Sequence, residues 1–321
     1  MKLIIGQRVL CKLSSLGPGM EKLSIKSIRR IYDGFDKLFG IPRYSNVQTA
    51  DIMVPASHCE IPIRIYRPQG IAKLSMVYFH GGGYVMGGFA SHDNFCRMLA
   101  CQSQINIIAV DYRLAPECQY PAALDDSIVA WNWIIDNAER LQLGVGAIGI
   151  GGDSAGGNIA AILAMQLFSA SLPNKTLTAR PAFQFLLYPL VDFRYQSESF
   201  QRYGKGLFLT ERLAHFFHEC YLGSVNQSEI DSMNLAFMEN MSKAPDTIIV
   251  TAEYDILRDE GLDLVERLQQ AQVPVSHLHL DDCTHGFIAA AKLSGATRRR
   301  LAEICGMLAK YAENNEPLKS F

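Results

Sequence analysis

From residue 74 onward, short apolar runs alternate with longer segments whose apolar residues recur every three or four positions. The runs at 74–79, 105–110, 146–151, 183–188, 246–251 and 275–280 have the length and the flanking polar residues of strands. Most are apolar throughout, as strands covered on both faces are. The segments 91–102, 121–139, 155–171, 258–271 and about 294–313 carry helical spacing instead. Such alternation predicts an α/β fold, with a mostly parallel sheet flanked by helices. Two earlier runs, 49–54 and 61–66, predict an antiparallel pair at one sheet edge, where Pro62 is tolerated.

Residues 1–45 and 195–235 depart from the alternation. The first has helical spacing at Leu23, Ile25, Ile28, Ile31, Phe35, Leu38 and Phe39. The second carries Ser197, Tyr203 and Gly204, then an aromatic-rich helix from Thr210 to Tyr221. Phe208, Phe216, Phe217 and Tyr221 exceed what a solvated excursion needs. The two segments therefore predict a helical cap over the C-terminal edge of the sheet, with 46–194 and 236–321 as the main domain. The alternative is a peripheral arm and a surface excursion.

Composition narrows the picture without changing it. Of the 321 residues 49% are hydrophobic, enough for a sizeable core, and a net charge of −2 gives no reason to expect nucleic acid or an anionic membrane. Gln7 and Arg8 interrupt the apolar start before a signal-length stretch forms, and no run approaches the roughly 18 residues of a membrane span. A cytoplasmic protein is expected. The eight cysteines are scattered without a C-x-x-C pair and read as reduced, mostly buried thiols. Cys283, two residues from His285, reads as packing rather than redox control.

The chemistry centres on Gly152-Asp153-Ser154-Ala155-Gly156, between a predicted strand and a predicted helix. A serine on that turn, with glycine two positions to either side, is a nucleophile elbow. Upstream, the strand ending at Phe79 runs into His80-Gly81-Gly82-Gly83, whose N–H groups can approach a substrate closely. Downstream, one β-branched run ends in Glu253-Tyr254-Asp255, and another leads through Asp281-Asp282-Cys283-Thr284 to His285. The order Ser154, Asp255, His285 is that of an α/β-hydrolase triad: nucleophile, orienting acid and base. Glu253, two residues from Asp255 on the same side of the strand, is the serious rival acid; Asp259 is a weaker one. Asp281 and Asp282 are too close to His285 in sequence to fold back onto its far nitrogen.

With these residues the chain resembles the hormone-sensitive-lipase-like (family IV) esterases, a branch of the α/β-hydrolases. The likeness runs over about residues 46–310 and rests on His80-Gly81-Gly82-Gly83, Asp111-Tyr112-Arg113-Leu114-Ala115-Pro116-Glu117 and Gly152-Asp153-Ser154-Ala155-Gly156-Gly157. Tyr254-Asp255, Arg258-Asp259-Glu260-Gly261 and His285-Gly286-Phe287 complete it. The resemblance implies a serine carboxylesterase on an eight-stranded sheet, a cap built from the N-terminus and an insertion, and oxyanion donors from the backbone of Gly82, Gly83 and Ala155. The position after Asp255, usually proline in such enzymes, is Ile256 here, which loosens the expected acid loop. His80, Asp111 and Asp153 read as supports behind the site, with His80 bracing the glycine loop and Asp111 bonding its backbone.

Tyr84, Phe208 and Phe216 are expected to line an apolar pocket between cap and sheet. No interfacial amphipathic helix with a basic polar face stands out, so short to medium acyl chains on soluble esters are expected. His58 and His92 have no ligand spacing. His215 with His218, and His277 with His279, have metal-compatible spacing, but packing is the commoner outcome. No metal and no cofactor are expected. The expected partner is a small ester, with no nucleic acid and no stable membrane insertion; the family adds a homodimer paired through strand 275–280. Two rival readings share the scaffold: a catalytically idle ligand-binding protein, and an amidase or deacetylase with the same triad. Retention of Ser154 and His285 argues against the first, and the shortness of the chain against a peptidase with a gating domain. A pure interaction module has no use for a glycine-built oxyanion hole.

Overall fold

The computed structural model describes residues 2–17, 19–57, 59–143, 147–166, 177–239 and 241–315. His58, the start of the strand expected at 146, the end of the helix expected at 155–171 and residues 316–321 lie outside them. Strands β1 (Gln48–Pro55), β2 (Glu60–Arg67), β3 (Ser75–Phe79), β4 (Asn106–Val110), β5 (Ile148–Asp153), β6 (Phe183–Leu187), β7 (Asp246–Tyr254) and β8 (Val275–Thr284) form one sheet. Their spatial order is β1-β2-β4-β3-β5-β6-β7-β8. β2 runs antiparallel to both β1 and β4, and every other pairing is parallel. Pro62 sits on β2 rather than on the outermost strand. It lies beyond the end of the β2–β4 ladder at Ile63, where only its carbonyl is used, accepting from the Asp111 N–H at 2.9 Å.

Two hydrophobic cores cover the two faces. Alternation along β3 divides its side chains, Val77 and Phe79 to one core, Met76 and Tyr78 to the other. Helices α3 (Phe89–Ser103) and α10 (Gly295–Asn314) close one face, while α4 (Ala122–Asp136), α5 (Ala155–Gln166) and α9 (Arg258–Gln270) close the other. Fully buried side chains such as Phe183 and Phe287 each contribute roughly 1.5–3 kcal/mol.

Five further helices belong to the segments outside the alternation: α1 (Ile5–Ser14), α2 (Ile25–Phe39), α6 (Glu198–Tyr203), α7 (Glu211–Leu222) and α8 (Gln227–Met233). α7 starts where the sequence predicts. Thr210 caps it, its Oγ1 accepting from the Leu213 N–H at 3.3 Å. Among the described residues no helix is long and apolar enough to cross a membrane. β7 and β8 run past the expected ends at 251 and 280, because a bulge between Ala252 and Tyr254 shifts the register and prolongs the pairing to Thr284.

Candidate active site

β5 ends at Asp153 and α5 begins at Ala155, so Ser154 alone makes the turn, at φ +53°. A non-glycine residue in that region stores about 1–3 kcal/mol of strain. Steric room explains the flanking glycines: a Cβ on Gly152 would strike the Gly156 carbonyl, and one on Gly156 the Phe79 carbonyl. The end of β6 and the segment after it clamp the turn from both sides. Ser154 N–H donates to the Leu187 carbonyl at 2.9 Å, and its carbonyl accepts from Leu190 N–H at 3.1 Å.

The bulge sets the partners. Tyr254 of β7 pairs with Thr284 of β8, so the residues that follow, Asp255 and His285, leave the sheet side by side. His285 Nδ1 lies 2.7 Å from Asp255 Oδ2, and its Nε2 lies 3.0 Å from Ser154 Oγ. A carboxylate can only accept, so Nδ1 carries the proton and Nε2 is left to accept from the serine hydroxyl. The other Asp255 oxygen accepts from Leu257 N–H at 2.8 Å. Asp255 is 1% exposed and His285 7%, so their hydrogen bond lies in a low-dielectric surrounding that strengthens it. Ile256, where the resembling family has proline, is fully buried, and packing holds the acid loop.

Glu253 lies elsewhere. Its carboxylate accepts from Tyr203 Oη and Arg258 Nη1, each at 2.7 Å, and stands 3.2 Å from His279 Nε2. The same-side rule fails because the strand stops at Tyr254, and Asp255 already belongs to the turn.

Gly82 (φ +117°) and Gly83 (φ +62°) occupy the left-handed region, and a Cβ on Gly83 would enter the Phe217 ring. Both line the cavity with Ala155, beside Ser154. Asp153 anchors this loop from behind: one of its oxygens accepts from Gly81 N–H and from Tyr78 Oη, each at 2.8 Å. His92 Nε2 approaches the same oxygen at 3.3 Å, off the hydrogen-bonding direction. Burial disfavours both charges. Their mutual attraction outweighs it, holding Asp153 below the usual carboxylate range and His92 above the usual histidine range.

His80 braces the loop as expected of it, stacked on Tyr112 at 4.3 Å with Nδ1 donating to the Gly81 carbonyl at 2.8 Å. Burial, with the nearby His92 charge, holds its pKa down at about 3, so it stays neutral. Asp111 does not bond the glycine run. Its carboxylate accepts from the Phe89 N–H at the start of α3, and burial raises its pKa to about 6. Asp153 has the task expected of Asp111, accepting from Gly81 N–H at the end of β5.

The cavity over Ser154 has a volume of about 810 Å³ including its open mouth. Tyr84 and Phe208 line it, as expected, but Phe216 does not; Phe217 takes that place, with Leu213 and Ala214. One helical residue is a 100° turn, and the face of α7 that points inward is Leu213, Ala214, Phe217 and Tyr221. Phe216 and His215 instead line an outer groove. His218 lines the cavity, so the His215/His218 pair is divided between two surfaces.

Tyr188 is a residue that sequence reasoning missed. It follows β6 at φ +36°, and its ring lies 4.6 Å from the His285 imidazole and edge-on to Phe287 at 5.5 Å. Its hydroxyl is buried without a hydrogen-bond partner among the described residues. The available signal was an aromatic ending an apolar run just before Pro189, at the sheet edge that carries the site.

Cys283 is buried against Gln7 Nε2 at 3.3 Å, and burial pushes its thiol up, so packing is its place in the structure. His277 and His279 share Thr251 Oγ1, at 2.8 and 2.9 Å. Among the described residues no group of three side chains could hold a metal ion.

Comparison with known proteins places this geometry. A family profile described as alpha/beta hydrolase fold matches residues 76–289. The chain is 34% identical over 267 residues to Carboxylic ester hydrolase LipN of Mycobacterium tuberculosis, covering 82% of this chain and 70% of that one. It is 35% identical over 233 residues to the ethyl acetate hydrolase of Pseudomonas putida, covering 71% of each. Among solved structures, an alpha/beta hydrolase enzyme from the metagenome of Lake Arreo, Spain superposes with a TM-score of 0.88. Its identity is 30%, over 97% of this chain and 98% of that one.

Proposed function

The chain belongs to the hormone-sensitive-lipase-like branch of the α/β-hydrolases, and on that footing we propose a serine carboxylesterase acting on short- to medium-chain acyl esters. The observation that carries the proposal is the relay of 3.0 and 2.7 Å from Ser154 through His285 to Asp255, under an apolar cavity. Ser154 Oγ attacks the acyl carbon as His285 Nε2 takes its proton. The carbonyl oxygen becomes an oxyanion held by the N–H groups of Gly82, Gly83 and Ala155, each worth roughly 10²–10³ in rate. Collapse breaks the bond to the alkoxide, which leaves with the proton from His285, and Ser154 keeps the acyl group. Water then repeats the sequence with His285 as base and releases the acid. Asp255 stabilises the imidazolium in both halves.

α2 and α7 act as the cap in this reading, bringing Tyr32 and Phe217 over the reacting centre. The cavity is lined mostly by apolar and aromatic side chains and is narrowed by Tyr32, Phe193 and Phe217, which favours acetyl to medium-chain acyl groups over long ones. Turnover of p-nitrophenyl esters from acetate to laurate, with Ser154→Ala alongside, tests both parts. The expected profile peaks at short chains and falls about 10⁴–10⁶-fold in the variant. Folded protein that turns over no ester overturns the proposal.

A further inference from the structure

The inner and outer faces of α1 have different partners. Inward, Gln7 Oε1 accepts from Thr284 N–H at 2.8 Å, one residue before His285, and Leu10 packs with Ala289 and Ala290. Outward, Ile5 is 77% exposed, Val9 42% and Leu13 40%, and Leu16 just past the helix is 80% exposed. Positions 5, 9 and 13 repeat every four residues, so they form one stripe along the helix. Half of the eight exposed large hydrophobic side chains among the described residues fall within these twelve positions.

The flanking charge has one sign. Lys2, Arg8 and Lys12 are exposed on the same segment, and the first carboxylate in the chain is Glu21. The acidic side chains near the end of β8, Asp281 and Asp282, are both tied to Arg300, and Glu21 lies beside Ser14 and Ser15 at the far end of α1. A net charge of −2 for the whole chain conceals this local segregation. An apolar stripe whose own helix carries only cations complements a surface that offers hydrocarbon beneath anionic headgroups.

We propose that the outer face of α1 docks reversibly on anionic lipid surfaces, seating the pocket beside esters dissolved there. α1 is placed for this, since its inner face packs on the 287–290 turn, whose Ile288 and Ala289 line the cavity over Ser154. The delivery of ester rests on the proposed esterase activity. The docking does not, and is read without substrate.

The protein is spun with vesicles of phosphatidylcholine alone and with 30% phosphatidylglycerol. Binding to the anionic vesicles is expected to be at least tenfold stronger, and to weaken in high salt. Val9→Glu with Leu13→Glu, and separately Lys12→Glu, are each expected to reduce it at least fivefold. Turnover of a soluble p-nitrophenyl ester and the melting temperature are expected to stay at parent values. Failure to bind, or equal binding by the variants, overturns the proposal. So does a doubled mass in light scattering that Val9→Glu with Leu13→Glu abolishes, because the stripe would then be an interface between copies.

Discussion

Two aspartate–histidine pairs lie buried on either side of Ser154, and they do opposite work. In one, Asp255 holds the proton-bearing Nδ1 of His285 at 2.7 Å, leaving Nε2 aimed at the Ser154 hydroxyl. In the other, the Asp153 oxygen is already occupied by Gly81 N–H and Tyr78 Oη, and His92 Nε2 comes only within 3.3 Å of it. The second nitrogen of His92 is engaged by Ser91 Oγ at 2.9 Å. The first histidine keeps one nitrogen for a reacting group, and the second has none to offer. In the proposed mechanism the same two residue types make a base in one setting and a buried brace behind the glycine loop in the other. What decides between them is the direction of one lone pair and the access beside it.

Removing the acid from each pair tests this contrast most sharply. Asp255→Asn keeps the shape but lets the wrong tautomer form, so kcat is expected to fall about 10⁴-fold with KM nearly constant. Glu253→Gln is the control, and its kcat is expected to stay within about threefold of the parent, because its carboxylate serves Arg258 and Tyr203. If the two variants exchanged effects in steady-state assays, the assignment of the acid would be wrong. Asp153→Asn is expected to be milder in rate and harsher in stability. Loosening Gly81 should reduce kcat about 10²-fold, on the scale of one oxyanion donor. Leaving a buried His92 without its counter-charge should destabilise by about 3 kcal/mol, readable in urea unfolding. A fully active Asp153→Asn would mean that the loop holds itself.

Tyr188 separates ring from hydroxyl. Tyr188→Ala removes the wall behind His285, and a shift of the base by a fraction of an ångström is expected to lower kcat about tenfold. Tyr188→Phe keeps the wall and deletes a buried, unpaired hydroxyl, so it should retain kcat and gain about 1 kcal/mol. Loss of activity in the phenylalanine variant would give the hydroxyl a role that its burial conceals.

What the sequence made legible was local. Apolar runs located the strands of the main sheet, and Gly152 to Gly156 located the elbow, because both signals lie within a few residues. The acid was legible only as a pair of candidates, since the turn after Tyr254 depends on pairing with a strand thirty residues away. The His92–Asp153 pair spans 61 residues and joins a helix to a strand, and no spacing rule announces such a contact. Phe216 was chosen where Phe217 belongs, because both suit an apolar helix and only packing fixes its rotation. The outer stripe of α1 was missed, since no interfacial amphipathic helix with a basic face was expected; only the packing of Gln7 and Leu10 leaves Ile5, Val9 and Leu13 outside.

A second carboxylate near His92 shows how finely its pair with Asp153 is poised. Asp36 on α2 is mostly buried, and burial raises its pKa to about 6 despite the nearby charges of His92 and Lys292. A carboxyl raised in the folded state binds protons more tightly there than in the unfolded chain. Its contribution is therefore fully present below about pH 4 and is lost as pH rises through 6. His92, raised above its ordinary value, acts in the same direction at higher pH: its contribution is present below about pH 6.5 and is lost as pH passes its folded value. Asp36→Asn removes the lower step and also takes away one of the carboxylates that raise His92. The variant should match the parent near pH 4 and exceed it by about 1–2 kcal/mol at pH 8, with activity unchanged. Unfolding by urea at the two pH values checks this. Equal gains at both would mean that the asparagine acts through packing, whereas a loss at pH 8 would make the Asp36 charge a working part of the His92 site.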